Sequence, residues 1–128
     1  MQYKYFYGAQ AEQFSFYRIP KALFTEPNFR ELSTDAKVLY VILLDRMSLS
    51  LKNQWLDAQN KVYIIFTVEE IMDALNCANQ KATRLMVELE KQAGLIERKR
   101  QGLGRPNLIY VKNFAATIND KSCEKGDS

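Results

Sequence analysis

Apolar residues recur at helical spacing in three stretches of the chain and cluster at strand spacing in the segments between them. The first stretch opens at Ser33-Thr34, either of which can cap a helix. Asp35 then sits in the first turn, where a carboxylate meets the positive end of the helix dipole. Ala36, Leu39, Tyr40, Leu43, Leu44 and Met47 form one apolar stripe, and Val38, Val41 and Ile42 add a second face. A helix apolar on most sides is buried, so this one is the expected hub of the core. Ahead of it, "IPKALFTEPNFRELS" carries two prolines and predicts loop with one helical turn.

Downstream, "LKNQWLDAQNKVYIIF" predicts a strand, a polar turn from Asp57 to Lys61 and a second strand from Val62 to Phe66. Thr67-Val68-Glu69-Glu70 has capping-box spacing, and Ile71, Met72 and Leu75 are the expected buried face of a second helix. "NCAN" is a short polar break. A third helix is predicted over 79–93, with Ala82, Leu85, Met86, Leu89 and Ala93 in one stripe. Gly94 is placed to stop it in the left-handed conformation, and Leu95 supplies the apolar contact that follows such a stop. Two short apolar runs, Leu95-Ile96 and Leu108 to Val111, then flank a basic, glycine-containing loop. That pattern predicts a β-hairpin.

Two helices joined by a turn of a few residues make a helix-turn-helix, and a hairpin directly after the second makes it winged. The expected fold class is therefore α+β: a winged helix-turn-helix with a three-helix core, a β-hairpin wing and an N-terminal aromatic arm. In this architecture the second helix of the pair enters the major groove of DNA, and the hairpin lies along the backbone or in the minor groove. Residues 1–17 are expected to be the arm, 18–114 the winged-helix domain, and 115–128 a polar tail or the start of a linker. In the arm, Tyr3, Tyr5, Tyr7, Phe14 and Phe16 partly alternate around the segment Gly8 to Gln13. Such an arm either packs on a partner subunit, as a dimer element, or folds back on its own domain.

Charge sharpens this picture. The whole chain carries only +3, but the stretch from Asn79 to Lys112 holds eight basic residues against three acids. Positive charge gathered in one third of a sequence is the footprint of a nucleic-acid partner. On the third helix, Asn79, Gln80, Lys81, Thr83 and Arg84 fall on the polar face of the first turns. Asn and Gln can pair with adenine, Arg and Lys with guanine, and Thr can meet a thymine methyl or a phosphate. Glu88 and Glu90, farther along, are poor neighbours for phosphates, and only the first part of a recognition helix sits deep in the groove. On the wing, Arg98, Lys99 and Arg100 are candidate DNA contacts, Arg98 and Arg100 sharing one strand face with Lys99 opposite. Arg105, at the tip beside Gly102 and Gly104, is the candidate for minor-groove or phosphate insertion. Thr67 and the neighbouring amides are a candidate phosphate contact, although a simple cap is the plainer role.

Composition narrows the alternatives. With 128 residues and 47% apolar content the chain is one domain with a core. Cys77 and Cys123 show no disulfide or zinc pattern, which points to a reducing, cytoplasmic setting, with Cys77 a small buried residue. No apolar run has the length of a membrane span, and "MQYKYFYGAQ" lacks the apolar region of a signal peptide. There is no histidine, hence neither the usual general base nor the commonest metal ligand. Gly102-x-Gly104 is not a dinucleotide loop, because Asn107 replaces the third glycine and a strand follows. No catalysis, metal or cofactor is expected.

Three blocks carry a more specific likeness: "FYRIPKALFTEPNFRELSTDAKVLYVILLDRMSLSLKN", "VYIIFTVEEIMDALNC" and "LIERKRQGLGRPNLIYVKNF". From Phe16 to Phe114 the chain resembles the N-terminal domain of RepA_N-type replication initiators, found on plasmids and related elements of low-GC Gram-positive bacteria. The resemblance implies sequence-specific binding to double-stranded DNA at repeated sites of a plasmid origin, usually as a homodimer. It also implies a separate C-terminal domain, outside these residues, that engages host replication proteins. It further implies that Gln80, Lys81, Thr83 and Arg84 read the major groove and that Lys99, Arg100 and Arg105 are wing contacts. A transcriptional repressor would use the same helix and wing. A winged helix serving as a protein-interaction module of a replication complex predicts instead that Arg84 and Arg105 are dispensable for DNA affinity.

Overall fold

In the computed structural model residues 2–8 and 14–115 are described. Most of the segment between the two aromatic runs (residues 9–13) and the expected tail beyond Ala115, with Cys123, lie outside the described residues.

The proline-rich lead-in forms two short turns, helix α1 (Ala22–Thr25) and a 3-10 turn over Pro27–Phe29. Each buries one anchor, Leu23 and Phe29 respectively. Helix α2 (Thr34–Lys52) starts where the cap predicts: Ser33 is extended, and its hydroxyl accepts the Ala36 N–H at 3.1 Å. Leu39, Tyr40 and Leu43 are fully buried at its centre, with Ala36, Val41 and Ile42 also inside. Each large aliphatic side chain among them contributes roughly 1.5–3 kcal/mol on leaving water.

The first predicted strand does not form. Leu51 and Lys52 belong to α2, because no glycine or proline interrupts "RMSLSLK" and the helix runs on until Asn53. Beyond Asn53 the chain does not form a two-stranded ladder. Leu56 and Val62 meet in a single antiparallel bridge around the polar turn, which the Asp57 carboxylate organises by accepting the Gln59 and Lys61 N–H groups, both at 2.8 Å. Val62 to Phe66 is likewise extended without being a regular strand. Ile64 alone exchanges both backbone hydrogen bonds, each 2.9 Å, with Ile109 of the wing. The alternation of the segment survives, since Ile64 and Phe66 are buried.

Helix α3 (Val68–Leu75) carries the predicted capping box: Glu70 N–H to the Thr67 hydroxyl at 3.1 Å, and Thr67 N–H to the Glu70 carboxylate at 2.8 Å. Asn76 ends it in the left-handed conformation (φ 52°), and Ala78 leads directly into α4 (Asn79–Val87). The helical path continues through a wider π-turn over Glu88–Gln92 before Gly94 (φ 66°) stops it. The Leu95 N–H then reaches back to the Leu89 carbonyl at 2.9 Å. Strands β1 (Ile96–Lys99) and β2 (Leu108–Val111) pair antiparallel, Ile96 opposite Val111 and Lys99 opposite Leu108. Ile71, Leu85, Leu89, Ile96 and Ile109 converge on α2 in one core, so the helix pair and the hairpin share a common foundation. Phe114 closes it, its ring 5.2 Å from Phe29 and 5.9 Å from Tyr40.

Candidate nucleic-acid interface

Burial of Ala82, Leu85 and Met86 fixes the rotation of α4, and that rotation decides which side chains face outward. Asn79, Gln80, Thr83 and Arg84 are exposed on its first turns. Among the described residues Arg84 makes no hydrogen bond or ion pair, so its guanidinium fork is available to a ligand. Lys81 is different. Its ammonium lies 2.7 Å from the Asp35 carboxylate in the first turn of α2, a half-exposed pair. Sequence periodicity put Lys81 among the readers; an acid from a distant segment was not visible in it.

The two glutamates that follow on the same helical path are turned to structural tasks. Glu88 accepts both the Ser33 N–H and the Ser33 hydroxyl, the latter at 2.9 Å, so it caps α2 from 55 residues away. Glu90 accepts Arg98 Nε at 2.8 Å and lies 2.7 Å from a second guanidinium nitrogen. Burial pushes the Glu90 carboxyl up. The hydrogen bonds and charge of Arg98 together outweigh it and hold the group below its ordinary range.

That pair also settles where Arg98 sits. In β1 the pattern has Ile96 buried and Arg98 half-buried, with Glu97 and Lys99 outward. Arg98 therefore ties the base of the wing to the end of the helical path that α4 begins, and its charge is spent inside the protein. Lys99, Arg100 and Arg105 are exposed on the hairpin. Gly102 (φ 122°) and Gly104 (φ 78°) turn the tip through backbone angles that only glycine adopts easily. Gln101 donates from its side chain to the Pro106 carbonyl at 2.7 Å, closing the neck of the loop.

Thr67 is fully engaged by its cap. Its hydroxyl also lies 3.3 Å from the Glu70 carboxylate, which in turn holds Arg46 at 2.9 Å. A carboxylate already occupies the N-terminus of α3, where a phosphate would have to sit. The arm aromatics Tyr3, Tyr5, Tyr7, Phe14 and Phe16 are all exposed. Phe14 makes edge contacts with Phe6 (5.9 Å) and Phe16 (6.2 Å). Sequence reasoning missed Lys37, buried on α2 with its ammonium 4.4 Å above the Phe24 ring. A lysine within an apolar stretch was the available signal.

An exposed polar face on the second helix of a helix-turn-helix, beside a hairpin with basic residues at its tip, defines a winged helix-turn-helix domain of the DNA-binding kind. The family model for the N-terminus of replication initiator protein A (RepA) matches residues 15–125, and the chain belongs to that family, RepA_N. A curated relative, a 41 kDa protein of Lactobacillus helveticus, is 32% identical over 103 residues. The match covers 80% of this chain and 28% of that relative. Among solved structures, one described as the N-terminal domain of a DNA binding protein is 38% identical with a TM-score of 0.72, covering 99% of this chain and 97% of that one. A Rep–DNA complex is 35% identical with a TM-score of 0.71, covering 98% and 96%. A structure described as an MDR initiator is 39% identical with a TM-score of 0.70, covering 98% and 99%.

Proposed function

We propose that this chain is the sequence-reading domain of a plasmid replication initiator, binding double-stranded DNA at repeated origin sites. Asn79, Gln80, Thr83 and Arg84 read base edges in the major groove, with Lys81 reaching a phosphate once it leaves Asp35. Arg100 and Arg105, seconded by Lys99, hold the backbone beside the wing. One observation carries this reading: the α4 face and the wing tip are exposed and basic, while Glu88 and Glu90 are turned away into Ser33 and Arg98. The Rep–DNA complex among its relatives supports it. The domain acts by binding, without catalysis or a cofactor, in the cytoplasm where plasmids reside. The exposed aromatic arm pairs two copies into a dimer that spans neighbouring half-sites. Because the chain spans 28% of the length of its curated relative, recruitment of host replication proteins is assigned to the remainder of such a longer protein.

Fluorescence anisotropy with duplexes from the cognate replication gene and origin tests this, against scrambled duplexes of equal composition, at two salt concentrations. Tight, salt-sensitive binding that prefers the repeats is expected. Weak binding indifferent to both sequence and salt would overturn it.

A further inference from the structure

The wing tip carries a side chain that its basic neighbours do not explain. Leu103 is 101% exposed, more than any other large apolar side chain among the described residues. A lone surface leucine says little by itself. This one stands at the apex of a closed turn. Gly102 and Gly104 take positive φ on either side of it, Arg105 N–H meets the Gly102 carbonyl at 3.3 Å, and Gln101 closes the neck on Pro106. Apart from each glycine and its two chain neighbours, no heavy atom among the described residues lies within 4 Å of where a Cβ would stand on either glycine, so the apex projects into open space. The collar around it is cationic: Lys99, Arg100 and Arg105 are exposed, and no acid occurs between Glu97 and the end of β2.

We propose that Leu103 is an apolar wedge that enters the minor groove and partly unstacks one base step, with Arg100 and Arg105 seated on the flanking phosphates. This inference rests on the DNA-binding reading above. A protein partner would be expected to meet an apolar apex through an apolar surround, whereas arginines on both sides match a groove walled by phosphates. Leucine is among the side chains that act as such wedges, and the step they open kinks toward the major groove. The consequence is specificity without a base-edge hydrogen bond: flexible TA or CA/TG steps under the wing are preferred because they unstack easily.

The test uses the 128-residue chain and origin-repeat duplexes in which 2-aminopurine replaces adenine at successive positions of the flank, together with a donor–acceptor pair at the duplex ends to report bending. Wild-type protein should raise 2-aminopurine fluorescence at one step and shorten the end-to-end distance. Leu103→Ala should abolish both signals and bind the repeats about tenfold more weakly, which is the order expected for one leucine no longer buried. Its salt slope should be unchanged, since no phosphate contact is lost. Leu103→Met should retain the signals. Neither substitution touches the core, so folding is not at stake. Repeat-specific binding by wild type with no fluorescence change, or equal affinity for Leu103→Ala, overturns the wedge and leaves the DNA reading intact. Wild-type protein that ignores the repeats defeats both.

Discussion

Removing Arg98 separates a structural arginine from a DNA contact, two roles that a basic hairpin makes easy to confuse. Its guanidinium holds Glu90 through two nitrogens at 2.8 and 2.7 Å, with side chains 27% and 17% exposed. Fully exposed pairs are worth about 0–1 kcal/mol, and breaking a fully buried one costs about 3–5 kcal/mol. This pair lies between those limits, because Arg98→Ala leaves the Glu90 carboxylate largely out of water without its partner. The expected loss is about 2 kcal/mol, or roughly 8 °C in Tm for a domain of this size. Thermal and urea melts give the value, and the cycle with Glu90→Gln isolates the coupling. The acid limb provides a second check. The folded pKa of Glu90 is depressed, so its stabilisation is present above the ordinary value near 4.5 and fades as pH falls through the lower folded value. Arg98→Ala should therefore be less acid-sensitive in that window than wild type. In DNA titrations the same variant should keep the wild-type salt slope, whereas Arg105→Ala should flatten it by about 0.9. A melting point within a degree of wild type together with a flattened slope would refute the structural role and return Arg98 to the interface.

Three further outcomes are expected. Arg84→Ala should cost about 1–3 kcal/mol on the preferred repeat and little on scrambled DNA, measured by anisotropy; equal losses on both would make it a phosphate contact. Asp35→Asn frees Lys81 and removes an acid from the edge of the exposed α4 face, so affinity for DNA should rise about two- to fivefold at low salt and the salt slope should steepen by about 0.9. Tyr40, whose hydroxyl donates to the Lys112 carbonyl at 2.6 Å, is pushed up to about 12 by burial. Its folded pKa exceeds the ordinary value of 10.0, so this contribution is intact below pH 10 and is lost as pH climbs toward 12. Tyr40→Phe should cost about 1 kcal/mol at neutral pH and remove that part of the alkaline decline, as read from urea melts at pH 7 and pH 11.

The helices and the wing were legible because each is specified locally. Ser33 and Thr67 mark their helix starts by capping chemistry, Gly94 marks a stop by backbone sterics, and the apolar stripes give the buried faces. The strands around the polar turn were overdrawn because alternation reports which side chains are buried. It does not report how many backbone hydrogen bonds are made, and Ile64 makes only one bridged pair with Ile109. Long-range charge pairing was the larger gap. Lys81 with Asp35, Glu88 with Ser33 and Arg98 with Glu90 each join segments whose proximity only the fold determines. Counting Arg98 among the wing contacts followed from its charge and its place on the hairpin, without knowledge of its partner Glu90.

Those pairings turn a modest net charge into a directional one. Between Asn79 and Lys112 two of the three acids are consumed by Ser33 and by Arg98. The third, Glu97, stays exposed on the wing opposite Tyr110, whose hydroxyl donates to Asp57 at 3.0 Å. The Asp57 carboxyl is held below its ordinary value, first by the Lys61 N–H, against the opposing effect of burial, and then by Tyr110 and the Gln59 N–H. The outer face of the hairpin is thus of mixed charge, and Lys99 shares it with Glu97. The tip and the first turns of α4 contain no acid. An anionic duplex approaching the wing from the Glu97 side meets carboxylates, and one approaching the tip and the face of α4 meets Arg84, Arg100 and Arg105. The field of the folded chain is therefore directional, set by where it puts its carboxylates and not by its total charge.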